Sequence, residues 1–415
     1  MRIALTALAL FIGACGAKTG LDAPDLGPDL GVDLGPDLGP PPPPPPVCIE
    51  VPRDAGPVDV SFELPVALAV VDVFFLLDAT ASMVDEIETI REGLQSRVVP
   101  GVRAAIPDAA FGVALFGEFP VSPHGPAEVQ PFVMRRTVTT DVVQVESALS
   151  SLPSWGNFDE PEAATEGLYQ VATGEGLDPW ILRSDGCPGG GTGGACFRST
   201  SLPVILLITD APMNNGPAGV APVSTYDFEG PHTYAEALEA LDRVGALVIG
   251  LWATDFGTMS PSRQLRRVST DTGAVVDGDP LARSIGGGGD GVGAGIVNAI
   301  TGLAEGTPLD VDARVEDVRG DAIDARDLVV AVEPVSAEPS DGVTAIVDGK
   351  FLGTRPGTRV TFRVVVDTSS VPDSAATVVV PARIVFRAFE RSRLGSEEVL
   401  IVIPGDDGGS CDDLP

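Results

Sequence analysis

The chain has few histidines and few basic residues. Among its 415 residues there are two histidines, His124 and His232, and 26 lysines and arginines against 59 acids, a formal net charge of −33. The two histidines are far apart, which excludes HExxH metalloproteases and argues against histidine zinc sites and most triad hydrolases. The shortage of positive charge argues against nucleic acid as a partner. Most of the acids are explained by solubility, although an acidic surface also suits divalent cations.

Long apolar runs are also scarce, and after the N-terminus none is long enough to span a membrane. The N-terminal MRIALTALALFIGACG has one arginine and a short apolar core, as in a secretory signal. Its Ile12-Gly13-Ala14-Cys15 resembles the lipobox of bacterial lipoproteins, which implies a signal peptide of residues 1–14 and lipidation of Cys15. This resemblance implies a lipid anchor in the bacterial cell envelope, and Gly16 after the cysteine favours the outer membrane. The alternative is an ordinary signal peptide in which Cys15 is incidental.

Four cysteines remain once Cys15 is assigned to the lipid: Cys48, Cys187, Cys196 and Cys411. An even number in an exported chain indicates disulfides, with three possible pairings. Cys187 and Cys196 flank a glycine-rich loop, so a local bridge is the simplest pairing and leaves Cys48 with Cys411. Metal binding by these cysteines is disfavoured because the chain contains no CxxC pair.

Residues 15–46 have the composition of a linker. Asp-Leu-Gly-Pro-like units are followed by seven prolines, Pro40 to Pro46. Proline and glycine deny this segment a hydrophobic core, and a polyproline run is stiff and extended. We expect a disordered spacer that holds the folded part away from a membrane.

Residues 66–305 alternate between apolar strands and helical patterns. Continuous apolar runs at 71–77, 111–117, 202–210 and 246–253 predict buried strands, and helices are predicted around 84–102, 141–152, 161–172 and 233–245. This alternation predicts an α/β fold, a doubly wound and mainly parallel sheet with both faces covered. In such sheets ligands bind beyond the carboxyl ends of the strands, where Asp78 and Asp210 stand.

Residues 306–415 lack a helical period and predict a β-sandwich. Strand-like runs at 327–335, 360–367, 376–389 and 399–404 are separated by Pro and Gly turns. The segment 47–65 is also strand-like, and a Cys48–Cys411 bridge would place it on this sandwich, with the α/β domain inserted between. An independent C-terminal module is the alternative.

The stretch Asp78-Ala79-Thr80-Ala81-Ser82 follows the first buried strand of this domain. Its carboxylate and two hydroxyls are hard oxygen donors, which Mg²⁺, Mn²⁺ and Ca²⁺ prefer. Neutral hydroxyls leave the ion electrophilic and able to accept a carboxylate from another molecule. Alone, this stretch could equally be a helix N-cap.

The motif DxTxS resembles the metal-ion-dependent adhesion site of von Willebrand factor type A domains, in which DxSxS is commoner. Asp210 in Ile208-Thr209-Asp210 looks like the aspartate that supports the metal through water. Over residues 70–280 the chain is similar to the I-like domain of integrin β subunits, through Ser82-Met83-Val84-Asp85-Glu86 and the stretch GNFDEPE at 156–162. The fold implied is of the von Willebrand A or Rossmann-like type.

The resemblance implies three ions. The central Mg²⁺ or Mn²⁺ is held by Asp78, Thr80, Ser82 and Glu162, and Asp210 acts through water. Asp85 and Glu86 map to an adjacent Ca²⁺ site, although alone they would be acids favoured at a helix N-terminus. Another Ca²⁺ is implied at Asn157, Asp159, the Pro161 carbonyl and Glu162, although alone GNFDEPE would be a turn before a helix.

The leading hypothesis is a membrane-anchored, divalent-cation-dependent binding or adhesion lipoprotein whose partner is a protein presenting an Asp or Glu carboxylate. A structural or assembly protein of the envelope, with a metal that only stabilises the fold, is the alternative. A metal-dependent hydrolase is disfavoured, because aspartate-nucleophile phosphatases need a second Asp where this chain has Thr80. We therefore expect no enzymatic activity.

Overall fold

The computed structural model describes residues 45–53, 55–150, 153–156, 160–253, 259–286, 291–318, 320, 322–390 and 392–413. The signal peptide, Cys15 and most of the linker lie outside the described residues. Residues 46–415 belong to one compact unit. Within the described part of the chain, no helix is long and apolar enough to cross a membrane.

The described strands and helices follow in chain order. The strands are β1 (Val47–Glu50), β2 (Val58–Pro65), β3 (Val70–Asp78), β4 (Asp108–Phe116), β5 (Val133–Thr139), β6 (Leu202–Thr209), β7 (Leu247–Trp252), β8 (Val275–Val276), β9 (Asp279–Pro280), β10 (Arg283–Ser284), β11 (Leu309–Asp317), β12 (Val329–Glu338), β13 (Ala345–Val347), β14 (Lys350–Thr354), β15 (Arg359–Val366), β16 (Val378–Ala388) and β17 (Ser392–Ile403). The helices are α1 (Val84–Gly93), α2 (Val99–Ala105), α3 (Val142–Leu149), α4 (Ala164–Thr173), α5 (Tyr234–Val244), α6 (Ser262–Asp271), α7 (Val292–Gly306) and α8 (Ala325–Leu328). A π-helical turn at Leu94–Val98 joins α1 to α2.

The α/β domain is built on a six-stranded sheet in the order β10-β7-β6-β3-β4-β5. Neighbouring strands are parallel except for the edge pair β4 and β5. This is a doubly wound order, and its direction of winding changes between β3 and β6. The structure thus confirms the predicted α/β class with a mainly parallel sheet.

Both faces of this sheet are buried, which explains why its central strands are apolar without alternation. On β3, Val73, Phe75 and Leu77 belong to the hydrophobic core that includes residues of α1, α2, α3 and α7. Phe74 and Leu76 belong to the core on the other face, which includes residues of α4, α5 and α6. Every side chain of the strand centre is therefore covered, and Asp78 at the carboxyl end of β3 is buried as well.

The C-terminal region is a β-sandwich, as predicted. One sheet has the order β1-β17-β16-β11-β14-β13 and the other the order β12-β15-β2. Phe362 of β15 contacts Phe351 of β14 and Phe386 of β16, with ring centroids 5.1 and 5.7 Å apart, so these aromatic rings join the two sheets.

The segment 47–65 contributes one strand to each sheet of the sandwich. β1 lies parallel to β17, and β2 lies antiparallel to β15. Disulfides join Cys48 to Cys411 and Cys187 to Cys196, which confirms both predicted pairings. The chain therefore leaves the sandwich after β2, forms the α/β domain and returns at β11.

A buried network lies at the amino edge of the central strands, opposite Asp78. Asp72 of β3 is fully buried, and its carboxylate accepts hydrogen bonds from the backbone N–H and Nε of Arg198, both at 2.6 Å. Ser201 donates a further bond of 2.6 Å. Burial raises the pKa of Asp72, and the charge of Arg198 opposes that rise. Arg198 also pairs with Asp108 of β4, so it ties two strands to the loop before β6.

His232 links α4 to α5. Its ring stacks on Tyr169 with centroids 3.5 Å apart, and its Nδ1 lies 3.0 Å from the buried carboxylate of Glu166. Burial lowers the pKa of His232, but the hydrogen bond and charge of Glu166, with smaller contributions from Glu236 and Glu175, raise it overall. The next residue, Thr233, caps α5 through a reciprocal pair of bonds with Glu236.

We expect His232→Gln to lower the free energy of unfolding by on the order of 1 kcal/mol at mildly acidic pH, because a charged hydrogen bond is lost. The folded-state pKa is raised, so this stabilisation is complete below the unfolded value of 6.5 and disappears as the pH rises through the folded value. Urea unfolding of both proteins at acidic and alkaline pH measures the difference. A difference that stays constant with pH would show that the charge of His232 does not contribute.

Candidate metal centre

The predicted metal ligands lie where the winding of the sheet changes direction. Asp78 is the last residue of β3, and Asp210 directly follows β6. These strands are parallel neighbours, with Leu77 opposite Ile208, so their carboxyl ends lie side by side. The structure therefore places both acids at the edge where doubly wound sheets bind ligands.

Asp78 is fully buried, and hydrogen bonds hold both of its carboxylate oxygens. Oδ1 accepts from the backbone N–H of Thr80 at 3.0 Å and from its hydroxyl at 2.6 Å. Oδ2 accepts from the Thr209 hydroxyl at 2.6 Å. The Thr80 hydroxyl makes no capping bond to the helical turn that follows, so DATAS is not a side-chain N-cap.

Ser82 extends this cluster towards Asp210 and solvent. Its hydroxyl lies 3.3 Å from that of Thr80 and donates to Asp210 Oδ1 at 3.1 Å. Ser82 is exposed, whereas Asp78 and Thr80 are buried. We call Asp78, Thr80, Ser82 and Asp210 the oxygen cluster; it is closed towards the sheet and open at Ser82.

The electrostatics of the oxygen cluster favour a cation. Burial and the charge of Asp210 raise the pKa of Asp78 to about 7, and burial raises the pKa of Asp210. Burial and the charge of Asp210 also raise the pKa of Glu160. Among the described residues, no lysine or arginine forms an ion pair with Asp78 or Asp210. Hard oxygens that repel one another fit a divalent cation.

Carboxylates alone do not make the site. Within the described part of the chain, no group of three or more His, Cys, Asp or Glu side chains has the arrangement of a metal site. A cation at the oxygen cluster would therefore depend on the hydroxyls of Thr80 and Ser82 as well. The donor set inferred from the sequence, in which neutral hydroxyls supply part of the coordination, stays a prediction.

Glu162 lies at the same edge of the sheet. Its backbone N–H donates to Pro212 O at 2.8 Å, and the N–H of the following Ala163 donates to Gly117 O at 2.9 Å. These bonds anchor Glu162 between the ends of β4 and β6, and its side chain is fully buried. The predicted helix over 161–172 is therefore wrong at its start: α4 begins at Ala164, because residue 162 bridges to Met213 instead.

The remaining predicted ligands are Asp85, Glu86, Asn157, Asp159 and Pro161. Asp85 and Glu86 occupy the first turn of α1, with Asp85 exposed and Glu86 buried. Their assignment to an adjacent ion stays a prediction. Asn157 and Asp159 lie outside the described residues. Pro161 is described, and its carbonyl oxygen accepts a hydrogen bond of 2.9 Å from the Asn214 side chain.

Sequence reasoning missed three contributors to this edge. Thr209 donates a hydrogen bond to the second carboxylate oxygen of Asp78. Its position at the end of β6, the strand beside β3, could have indicated this contact. No role was predicted for Glu160, which lies within the stretch GNFDEPE. Trp155 is buried, and its backbone exchanges hydrogen bonds with Ala79 and Ala81. This pairing holds the chain of the DATAS stretch extended.

No family model matches the chain, and no curated protein matches it. Similar solved structures include a von Willebrand factor type A protein from Catenulispora acidiphila, at 13% identity over 86% of this chain and 72% of that one, with a TM-score of 0.36. The pilus adhesin SpaC from Lactobacillus rhamnosus GG, in an open conformation, aligns over 84% of this chain and 45% of its own, at 13% identity and a TM-score of 0.35. Proximal thread matrix protein 1 of the mussel byssus aligns over 60% of this chain and 50% of its own, at 13% identity and a TM-score of 0.36. This chain thus spans half or less of the last two proteins. At these identities and TM-scores, the similarities carry no information on function.

Proposed function

We propose that this protein is a membrane-anchored, divalent-cation-dependent binding or adhesion lipoprotein that captures a carboxylate of a partner protein. The observation that carries the proposal is the oxygen cluster, in which a buried carboxylate and two hydroxyls meet a second carboxylate beside an exposed edge. Such a set suits an ion that keeps an open position for an outside ligand.

In this proposal Asp78, Thr80, Ser82 and Glu162 hold Mg²⁺ or Mn²⁺, and Asp210 acts through a bound water. The bound ion supplies an electrophilic position that accepts a partner's Asp or Glu. Thr209 and the backbone N–H of Thr80 keep the Asp78 carboxylate in one orientation. The two hydroxyls are neutral oxygen ligands and add no negative charge. The bound ion therefore keeps its attraction for an anionic partner. Asp85 and Glu86 are proposed to hold an adjacent Ca²⁺.

We propose binding and not catalysis, because Thr80 stands where an aspartate-nucleophile phosphatase would need a second acid. The lipid anchor at Cys15 is part of the proposal. It would place the chain in the bacterial cell envelope, in the outer membrane if there is one. Mass spectrometry of the mature protein tests whether Cys15 is lipidated. The spacer of residues 15–46 would then present the folded unit to partners.

The proposal is tested with Mn²⁺ as the ion and acetate as the carboxylate. We expect bound Mn²⁺ to enhance water-proton relaxation, and acetate to reduce that enhancement by displacing a coordinated water. Ser82→Ala should weaken Mn²⁺ binding by at least about tenfold, because it removes a ligand hydroxyl. Ser96→Ala is the matched control, since that hydroxyl is exposed and bonds within the neighbouring helical turns.

Two results would contradict the proposal. One is bound Mn²⁺ that gives no enhancement of water-proton relaxation, and the other is an enhancement that acetate does not reduce. In either case the ion would have no open position for a partner. The envelope assembly role, with a metal that only stabilises the fold, would then be the better account.

A further inference from the structure

A further buried polar network, which the sequence did not indicate, lies at the same end of the sheet as the oxygen cluster. Its centre is Asn214, which is fully buried in the loop after β6. The Asn214 Nδ2 donates to Glu118 Oε2 at 2.8 Å and to the Pro161 carbonyl oxygen at 2.9 Å, and Asn214 Oδ1 accepts from the Ser224 hydroxyl at 2.6 Å. A carbonyl and a carboxylate can only accept, so the amide must present its nitrogen to them.

Glu118 completes this network from the end of β4. Its carboxylate is fully buried, and Oε1 accepts from the Phe119 N–H at 2.5 Å and from the Tyr226 hydroxyl at 2.7 Å. The pKa of Tyr226 is raised by burial, then by the charge and hydrogen bond of Glu118, and then by the charge of Glu162. The Tyr226 hydroxyl therefore stays protonated and acts as a donor. Burial raises the pKa of Glu118 to about 7, and three donors from three different residues oppose that rise and hold its carboxylate.

Asn214 also holds the residue next to Pro161. Its backbone N–H donates to Glu162 O at 2.8 Å, while its side chain holds the Pro161 carbonyl. One residue thus fixes two successive carbonyls of the segment that carries the buried Glu162. The resemblance to integrin β subunits implies a Ca²⁺ at the Pro161 carbonyl; here the Asn214 amide holds one lone pair of that oxygen from the protein side.

We infer that Asn214, held by Glu118, takes the place of that Ca²⁺ in positioning Pro161 and Glu162. Asn214 is then a positioning residue, and Glu118 orients its amide. The inference rests on the proposed function in one respect only, namely that Glu162 contributes to the central ion. It makes Mg²⁺ binding at the oxygen cluster independent of Ca²⁺ at the Pro161 carbonyl.

The experiment measures the Mg²⁺ affinity of the full chain by calorimetry, in EGTA and in saturating Ca²⁺, with Asp85→Asn and Glu86→Gln introduced into the wild type and into each variant to remove the proposed adjacent Ca²⁺ site. For the wild type we expect affinities equal within about twofold in both conditions. Asn214→Ala should lower Mg²⁺ affinity by about 10–100-fold, the usual effect of losing a residue that orients a ligand, and Ca²⁺ should not restore it. Asn298→Ala is the matched control, because Asn298 is an exposed asparagine on α7.

The inference is overturned if the wild type binds Mg²⁺ only when Ca²⁺ is present, or if Ca²⁺ restores Mg²⁺ affinity to Asn214→Ala. A wild type that binds no Mg²⁺ at all would defeat the proposed function instead. Thermal unfolding then decides the inference: Asn214→Ala should be destabilised to the same extent in EGTA and in Ca²⁺, and selective recovery in Ca²⁺ would contradict it. Asn214→Asp provides a second variant, since a carboxylate facing Glu118 should make stability depend on Ca²⁺ in that variant alone.

Discussion

Asp78→Asn is expected to weaken Mg²⁺ binding by more than about 100-fold, because residues that merely orient a ligand are already worth about 10–100-fold. The substitution removes the one carboxylate of the cluster that is fully buried and fixed at both oxygens. Calorimetric titration of wild type and variant measures the loss. An affinity within about threefold of wild type would contradict the role given to Asp78.

The same substitution should leave the fold intact. The new amide oxygen can accept the two bonds from Thr80, and the amide nitrogen can donate to the Thr209 hydroxyl. That hydroxyl can then donate to Ala211 O, which lies 3.2 Å away. Circular dichroism and the unfolding midpoint without metal should therefore match the wild type. Asp108→Asn is the control and should leave Mg²⁺ affinity unchanged, because Asp108 is exposed at the amino end of β4, opposite the oxygen cluster.

Arg198→Met is expected to lower the free energy of unfolding by about 3 kcal/mol or more, because it leaves the buried Asp72 carboxylate without its cation. The Arg198 side chain is 27% exposed and that of Asp72 is 0% exposed, so the acid cannot recover its hydration. The variant also loses the bonds from Arg198 to Asp108 and to the Val71 carbonyl. Urea unfolding gives the free energies of both proteins.

Arg359→Met is the control for this prediction. Arg359 pairs with Glu63 at 3.1 Å, but both side chains are more than half exposed, so the change should cost less than about 1 kcal/mol. Asp72→Asn combined with Arg198→Met should recover part of the lost stability, since the uncompensated charge is then removed. Equal effects of the two single arginine variants would contradict the burial argument.

The sequence predicted the elements whose residues are covered on both sides. β3, β6 and β7 are continuous apolar runs because both faces of the sheet are buried, and their parallel arrangement followed from the helices between them. β5 was missed, because VMRRTVT is half-buried along an edge and carries two arginines in place of an apolar run. α7 was missed because it begins in a glycine-rich stretch, where intrinsic helix propensity is low.

The oxygen cluster could be predicted because its parts are local or stand at strand ends. Asp78, Thr80 and Ser82 are alternate residues, and Asp210 follows the neighbouring strand, so topology alone brings them together. Glu118 and Asn214 could not be predicted in the same way. They are 96 residues apart, and their contact depends on how two loops fold over Pro161. No motif at either residue indicates that pairing.

Anomalous diffraction from crystals grown with Mn²⁺ would locate the proposed ion. We expect an anomalous peak at the carboxyl end of β3, within coordination distance of the Asp78 carboxylate and the Ser82 hydroxyl. Crystals of Asp78→Asn under the same conditions should lack that peak. Wild-type crystals with Mn²⁺ bound elsewhere and no peak beside Asp78 would contradict an ion site at the oxygen cluster.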